Sequence, residues 1–316
     1  MRQLLLAIPV ALLLGCPPAS TEDEPIDMRR SFPDAPSEGF ALTTPEYVIP
    51  AGSERQFCWI DTYRGEDVGI TSNTNYQTHI GHHLTLFGTS TPERDVADGT
   101  SWDCTDTEAL AMENMEPIII GGTISTDADG VTNAFTLPAG MAAPLENGQR
   151  LILQSHYINT QPEPVLVQDQ AHFVTVPEDD VGTWASPLVA TVTNFAIPAQ
   201  TDGHVIEFDC LYEDSLELLY LGGHLHEWGA SFSASHTRDG VTSTIYEVPD
   251  WDPVFRDAPL YEEFEPGEFT LAPGDTLTTR CEWDNNTEAE LGFPEEMCVT
   301  FAMAYPSRVP IICTGD

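Results

Sequence analysis

Gly222-Gly223-His224-Leu225-His226-Glu227-Trp228-Gly229 sits inside the apolar run from Leu216 to Ser235, and the period of that run decides how the chain is read. On a β-strand, residues i and i+2 project to one face. His224 and His226 are then expected side by side, as a two-nitrogen claw. Arg238-Asp239-Gly240 follows as a hairpin turn signal, and Val241 to Val248 reads as the returning strand. Outward from there the pattern repeats. Tyr47 to Pro50, Gln56 to Tyr63, His82 to Phe87, Pro117 to Gly121, Arg150 to Ile158 and His172 to Val176 are short apolar or alternating runs, punctuated by Gly, Pro, Asn and Asp. Leu188 to Phe195, Val205 to Phe208, Asp275 to Trp283 and Cys298 to Tyr305 continue the pattern. The chain is expected to be all-β, with one short helix around Thr105 to Asn114. Many brief strands with regular turns predict two tandem antiparallel β-sandwich domains. Polar Pro177 to Gly182 is the expected boundary, giving residues 39–179 and 180–316.

Of 316 residues, 51 are acidic and 11 basic, and every basic one is Arg. A net charge of −40 repels nucleic acid and anionic lipid, so neither is an expected partner surface. It fits a salty or acidic exterior, and it also concentrates cations. Arg2, the apolar Leu4 to Leu14 and the ending Leu13-Leu14-Gly15-Cys16 read as a cleaved signal too short to span a bilayer. The ending resembles a bacterial lipobox, which implies a signal peptide over residues 1–16 and a lipidated Cys16 as the only membrane attachment. Pro17 rather than Asp follows, which resembles lipoproteins sent to the outer membrane. Residues 17–38 are acidic and Pro-rich, and read as a disordered tether.

Six cysteines remain: Cys58, Cys104, Cys210, Cys281, Cys298 and Cys313. In an oxidising compartment an even number predicts disulfides, in one of about 15 pairings. No CxxC pair is present, which argues against a zinc ribbon.

Three histidine groups could bind metal: His82-His83, His156 and His224/His226. Gln154 shares a strand face with His156. Adjacent strand residues point apart, so His82 and His83 need a bulge to reach one ion, and Gly81 before them suits one. Met297, in Glu295-Glu296-Met297-Cys298, adds a thioether, which with two imidazoles favours Cu(I). A zinc hydrolase built on His224 and His226 would need a carboxylate beside them, and Glu227 points to the other face of that strand.

The combination resembles the copper type II, ascorbate-dependent monooxygenases over about Cys58 to Cys313. His82-His83-Leu84-Thr85-Leu86-Phe87-Gly88 is similar to that family's His-His-Met strand, and Leu153-Gln154-Ser155-His156-Tyr157 to its second histidine segment. His224-Leu225-His226 matches its His-x-His, and Glu296-Met297-Cys298 its Met-Cys. Gly274-Asp275-Thr276-Leu277 to Arg280-Cys281 matches the strand before that Met. The resemblance implies two jelly-roll-like sandwiches, each with one copper, facing each other across a wet cleft. His82, His83 and His156 would hold the electron-storing ion; His224, His226 and Met297 would hold the catalytic one. It implies hydroxylation of a C–H bond of a small molecule by O2, with electrons from ascorbate or a similar donor. Gln154 would order water or substrate. It also implies the pairing Cys58–Cys104, Cys210–Cys313 and Cys281–Cys298. Peptide-processing members carry an Arg two residues before the His-x-His and a Tyr four after the Met; here these are Gly222 and Phe301. A carboxylate-bearing peptide is therefore not the expected substrate. The competing expectation is a non-catalytic copper-binding envelope lipoprotein.

Overall fold

The computed structural model describes residues 24–89, 96–104, 116–119, 131–256, 258–293 and 295–315. The signal segment, Cys16 and the expected helix around Thr105 to Asn114 lie outside them. Strands dominate, and most pairs are antiparallel.

In the first half, a five-stranded sheet runs Ser101–Asp103, Ser53–Thr62, Arg150–Asn159, Gly81–Thr89, Glu116–Ile119. A second sheet runs Thr183–Trp184, Met141–Leu145, Val68–Tyr76, Gln170–Pro177, Gly39–Thr43, with Val131–Thr136 also on Val68–Tyr76. Leu84, Leu86, Leu151 and Leu153 of the first pack on Ile70, Ala143, Leu145, Ala171 and Phe173 of the second. The second half repeats the plan. A sheet with Leu216–His224, Cys298–Tyr305 and Ser186–Val192 at its centre and Ile311–Thr314 at one edge faces another of Thr201–Leu211, Thr276–Asn285, Gly229–Arg238 and Val241–Val248. Their shared core includes Leu188, Ala190, Phe232, Leu277 and the fully buried Trp283. Both halves are thus two-layer β-structures.

The cause is clearest in Thr276–Asn285, where Leu277, Thr279, Cys281, Trp283 and Asn285 are buried and each intervening residue is more exposed. That period of two presents one face to the core. Leu219, Met303 and Tyr305 of the second half join the core cluster of the first, so the halves meet through apolar side chains.

Three expectations are revised. The run Leu216 to Ser235 is two strands, broken after His224 by a turn in which the Gly229 amide donates to the His226 carbonyl. The tether is docked at its described start. Ile26–Asp27 pairs with Val165–Leu166, Met28 packs on the cluster around Tyr47 and Tyr157, and Arg30 donates to the Gln77 carbonyl. The polar segment at 177–182 holds a 3-10 turn, Glu178–Asp180, and the chain then rejoins the first half's sheet at Thr183–Trp184.

One central strand, Val68–Tyr76, was not expected from sequence. It and the residue after it turn Asn73, Asn75 and Gln77 inward. Each amide nitrogen finds an acceptor, though Asn73 Oδ1 and Gln77 Oε1 do not find donors: Asn73 donates to Asn75, Asn75 to the Leu84 carbonyl, and Gln77 to the His83 carbonyl and Asp169. Buried polar groups persist where hydrogen bonds replace water. Asp169 also accepts from the Tyr157 hydroxyl at 2.6 Å.

Burial pushes the Asp169 carboxyl up from 3.8 to about 6, against the opposing hydrogen bonds from Tyr157 and Gln77. The folded chain therefore keeps this proton to higher pH than the unfolded chain. This contribution falls as pH rises from about 4 to about 6, by roughly 2–3 kcal/mol. Asp169→Asn removes the dependence. Urea unfolding at pH 4 and pH 7 should show the variant gaining on the parent by about that amount; an unchanged difference would reject the assignment.

Candidate metal centres

His156 lies in the middle of Arg150–Asn159, opposite His83 across the ladder, so both project to the outer face of the five-stranded sheet. The next pair along is Tyr157 with Gly81, which leaves His82 as the extra residue of a bulge. The bulge swings His82 round to the same side. Gly81 is required by close approach: a Cβ there would lie 2.5 Å from the Gln77 Cβ and 2.9 Å from the Thr78 carbonyl oxygen. His156 Nδ1 is 3.2 Å from His82 Nδ1 and 3.4 Å from His83 Nδ1. Nitrogens that share one ion at ordinary bond lengths of about 2 Å stand about 3 Å apart, so the three rings fit a single metal. His156 is almost wholly buried, and its other nitrogen, Nε2, meets Glu54 Oε1 at 2.8 Å.

The second group forms at a strand end. His224 closes Leu216–His224, Leu225 plunges into the core, and His226 stands in the turn beyond. Their Nε2 atoms are 3.1 Å apart. His226 Nδ1 donates to the Glu295 carbonyl at 3.0 Å, which places the lone pair on Nε2, the atom that faces His224. Side-by-side projection therefore holds, although a turn rather than strand pleat produces it. Glu227 is exposed, as expected of a residue off the claw.

The turn hangs on Glu296. This fully buried carboxylate accepts from the backbone amides of His226 at 2.9 Å and Trp228 at 2.7 Å, and from the Trp283 indole at 2.9 Å. Burial pushes its carboxyl up, while those N–H donors pull it back down. Half-buried Met297 is the next residue, followed by Cys298, bonded to Cys281. Sequence reasoning assigned no role to Glu296 or Glu54. A glutamate directly before Met297 was the one available signal.

The other disulfides are Cys58–Cys104 and Cys210–Cys313. Gln154, expected to order water or substrate, is buried, with its amide nitrogen 3.8 Å from both sulfurs of Cys58–Cys104. It shares the His156 face, but the disulfide occupies its amide. His172 contacts Gln170, and His236 pairs with Asp275. Among the described residues, the one cluster of three His, Cys or acidic groups close enough to share an ion is His82, His83 and His156.

Residues 186–315 match the C-terminal domain of the copper type II ascorbate-dependent monooxygenases. The second half of the chain is similar to this family. DBH-like monooxygenase protein 1 of Homo sapiens is 24% identical over 249 residues, covering 71% of this chain and 39% of that protein. The chain therefore spans about two fifths of that relative's length. Among solved structures, PNGase F of Flavobacterium meningosepticum is 10% identical with a TM-score of 0.31, over 90% of this chain and 96% of its own. The capsid protein P2 of bacteriophage PM2 is 8% identical with a TM-score of 0.30, over 84% and 100%. Likenesses this low carry no argument about the chain.

Against the family pattern, the two departures prove to be one. Gly222 and Phe301 are directly opposed across the ladder. A Cβ at 222 would lie 2.5 Å from the Phe301 ring and 2.8 Å from the Leu260 carbonyl oxygen. The ring fills the place where a longer side chain at 222 would begin.

Glu296→Gln turns one acceptor into a donor facing an N–H. Urea unfolding of the metal-free protein should show a loss of about 2–4 kcal/mol. A loss below about 0.5 kcal/mol would mean that the turn does not depend on this carboxylate.

Proposed function

We propose that the chain is a copper-dependent monooxygenase that hydroxylates a C–H bond of a small organic molecule. The observation that supports this most is the paired convergence of imidazoles. Three meet through Nδ1 on one half and two through Nε2 on the other, with a remote nitrogen anchored in each group. In this reading His82, His83 and His156 hold one copper in the half 39–179. His224, His226 and Met297 hold a second in the half 180–316. Copper in such sites supplies O2 binding and one-electron chemistry, with ascorbate or a similar donor as reductant.

The protein's own contribution is positional. Glu54 and the Glu295 carbonyl engage the remote nitrogens of His156 and His226, one ring in each group. Glu296 and the Cys281–Cys298 bond pin the segment that carries Met297. The donor types differ in a useful way: three neutral nitrogens tolerate both copper oxidation states, and a thioether favours the reduced one.

Substrate follows from charge and from the Gly222–Phe301 packing. No guanidinium stands at 222 to grip a carboxylate, and a chain of net charge −40 repels anions. A neutral or cationic small molecule is the proposed class. Lipidation at Cys16, with an outer-membrane anchor, is proposed from the leader alone.

Metal analysis with EPR tests the reading: two coppers per chain, with type 2 spectra, are expected. Met297→Ile should leave one copper and lower ascorbate-driven O2 uptake by more than about 100-fold, since even partners behind the ligands cost 10–100-fold. One tight zinc instead would sink the proposal. Full copper loading with no turnover on a panel of neutral and cationic substrates would favour the non-catalytic copper-binding lipoprotein.

A further inference from the structure

Glu54 opposes Ile158 in the ladder, and His156 opposes Gln56 two residues on, so Glu54 and His156 lie on one face as diagonal neighbours. A glutamate is long enough to span that diagonal. Its Oε1 meets His156 Nε2 at 2.8 Å while His156 Nδ1 faces His82 and His83. The same Oε1 is 3.4 Å from Nη2 of Arg256, which is 202 residues away and belongs to the other half. Arg256 ends the 3-10 turn Pro253–Arg256. Just upstream, Trp251 donates its indole N–H to the His226 carbonyl at 3.1 Å and its backbone N–H to Ala230 at 2.9 Å. The span between is braced: the Val254 amide donates to the Asp252 carboxylate, the Phe255 amide to the Asp252 carbonyl, and the Trp251 and Phe255 rings meet edge to face. A six-residue segment thus touches His226 at one end and the partner of His156 at the other.

We propose that Glu54 is the positioning residue of the three-histidine site, and that Arg256 holds Glu54 in place, so that segment 251–256 couples the two candidate metal sites. Glu54 keeps the His156 proton on Nε2 and the lone pair on Nδ1, the atom that faces the other two rings. Both partners are partly exposed, with side-chain accessibilities of 46% for Glu54 and 27% for Arg256, so the ion pair adds little stability. What it sets is the direction of the carboxylate. The metal-binding part rests on the copper reading above; the tautomer part does not.

The test uses the full chain. In the metal-free protein, proton–nitrogen correlation spectra should show His156 protonated on Nε2, and Glu54→Ala should shift population to the Nδ1-protonated form. Copper titration against a competing chelator, followed by EPR, should show Glu54→Ala weakening the three-histidine site by about 10–100-fold. The conservative Glu54→Gln should recover part of that loss. Arg256→Ala should weaken the same three-histidine site several-fold, although the residue belongs to the other half. An unshifted tautomer together with unchanged affinity in Glu54→Ala overturns the role of Glu54. Unchanged affinity and spectrum in Arg256→Ala overturns the coupling. If the parent protein takes up no copper, the copper reading fails, and the tautomer measurement alone decides Glu54.

Discussion

Glu296 is the constraint on which the second half's candidate metal site depends. A carboxylate with no exposed surface would be costly without partners, yet it accepts from two backbone amides and an indole. Those donors come from the His226 turn and from Trp283 in the opposite sheet. The carboxylate itself is covalently next to Met297. One buried charge therefore sets three things at once: the path of the His-x-His turn, its distance from the facing sheet, and the entry of the thioether-bearing segment. The Cys281–Cys298 bond repeats the connection covalently, from the sheet of Trp283 to the residue after Met297.

The first half solves the same problem by different means. Its three rings stand on two paired strands, where the ladder fixes His83 opposite His156 and a one-residue bulge recruits His82. Beneath them, the inward amide of Gln77 holds the His83 carbonyl and Asp169 holds Tyr157, the neighbour of His156. Polar groups in a sandwich interior weaken it unless satisfied. Here they brace the outer face from below. The cost is local to a core that also carries Ile70, Leu84, Leu153 and Phe173.

Much of this was legible in sequence where the signal is local. Strands with one apolar face announced themselves, as in Thr276–Asn285, and so did the histidine pairs and the bulge demanded by His82-His83 after Gly81. Val68–Tyr76 was missed because, past Ile70, its inward residues are amides, so the period of two carries little hydropathy. The docking of Ile26–Asp27 was missed because a two-residue parallel pairing leaves no compositional trace. Glu54 and Arg256 were missed for another reason. Glu54 meets His156 across 102 residues and Arg256 meets Glu54 across 202, over a strand register and a meeting of halves that exist only once the chain has folded. The disulfide pairing needed the family resemblance, since spacing alone left every combination open.

Gly222 and Phe301 show how a departure from a family pattern should be weighed. Taken singly, each is a lost polar group. Opposed across one ladder, they form a packed unit in which the ring occupies the space of a missing Cβ and the Leu260 backbone closes in from the other strand. Leu260 is itself fixed, because its carbonyl accepts the Tyr246 hydroxyl at 2.7 Å. Restoring a long cationic side chain at 222 would have to move both an aromatic ring and a backbone carbonyl, and cores resist such overpacking. The change is therefore built into the sheet that leads to His224. The wall of the sheet two residues before His224 is thus aromatic and uncharged.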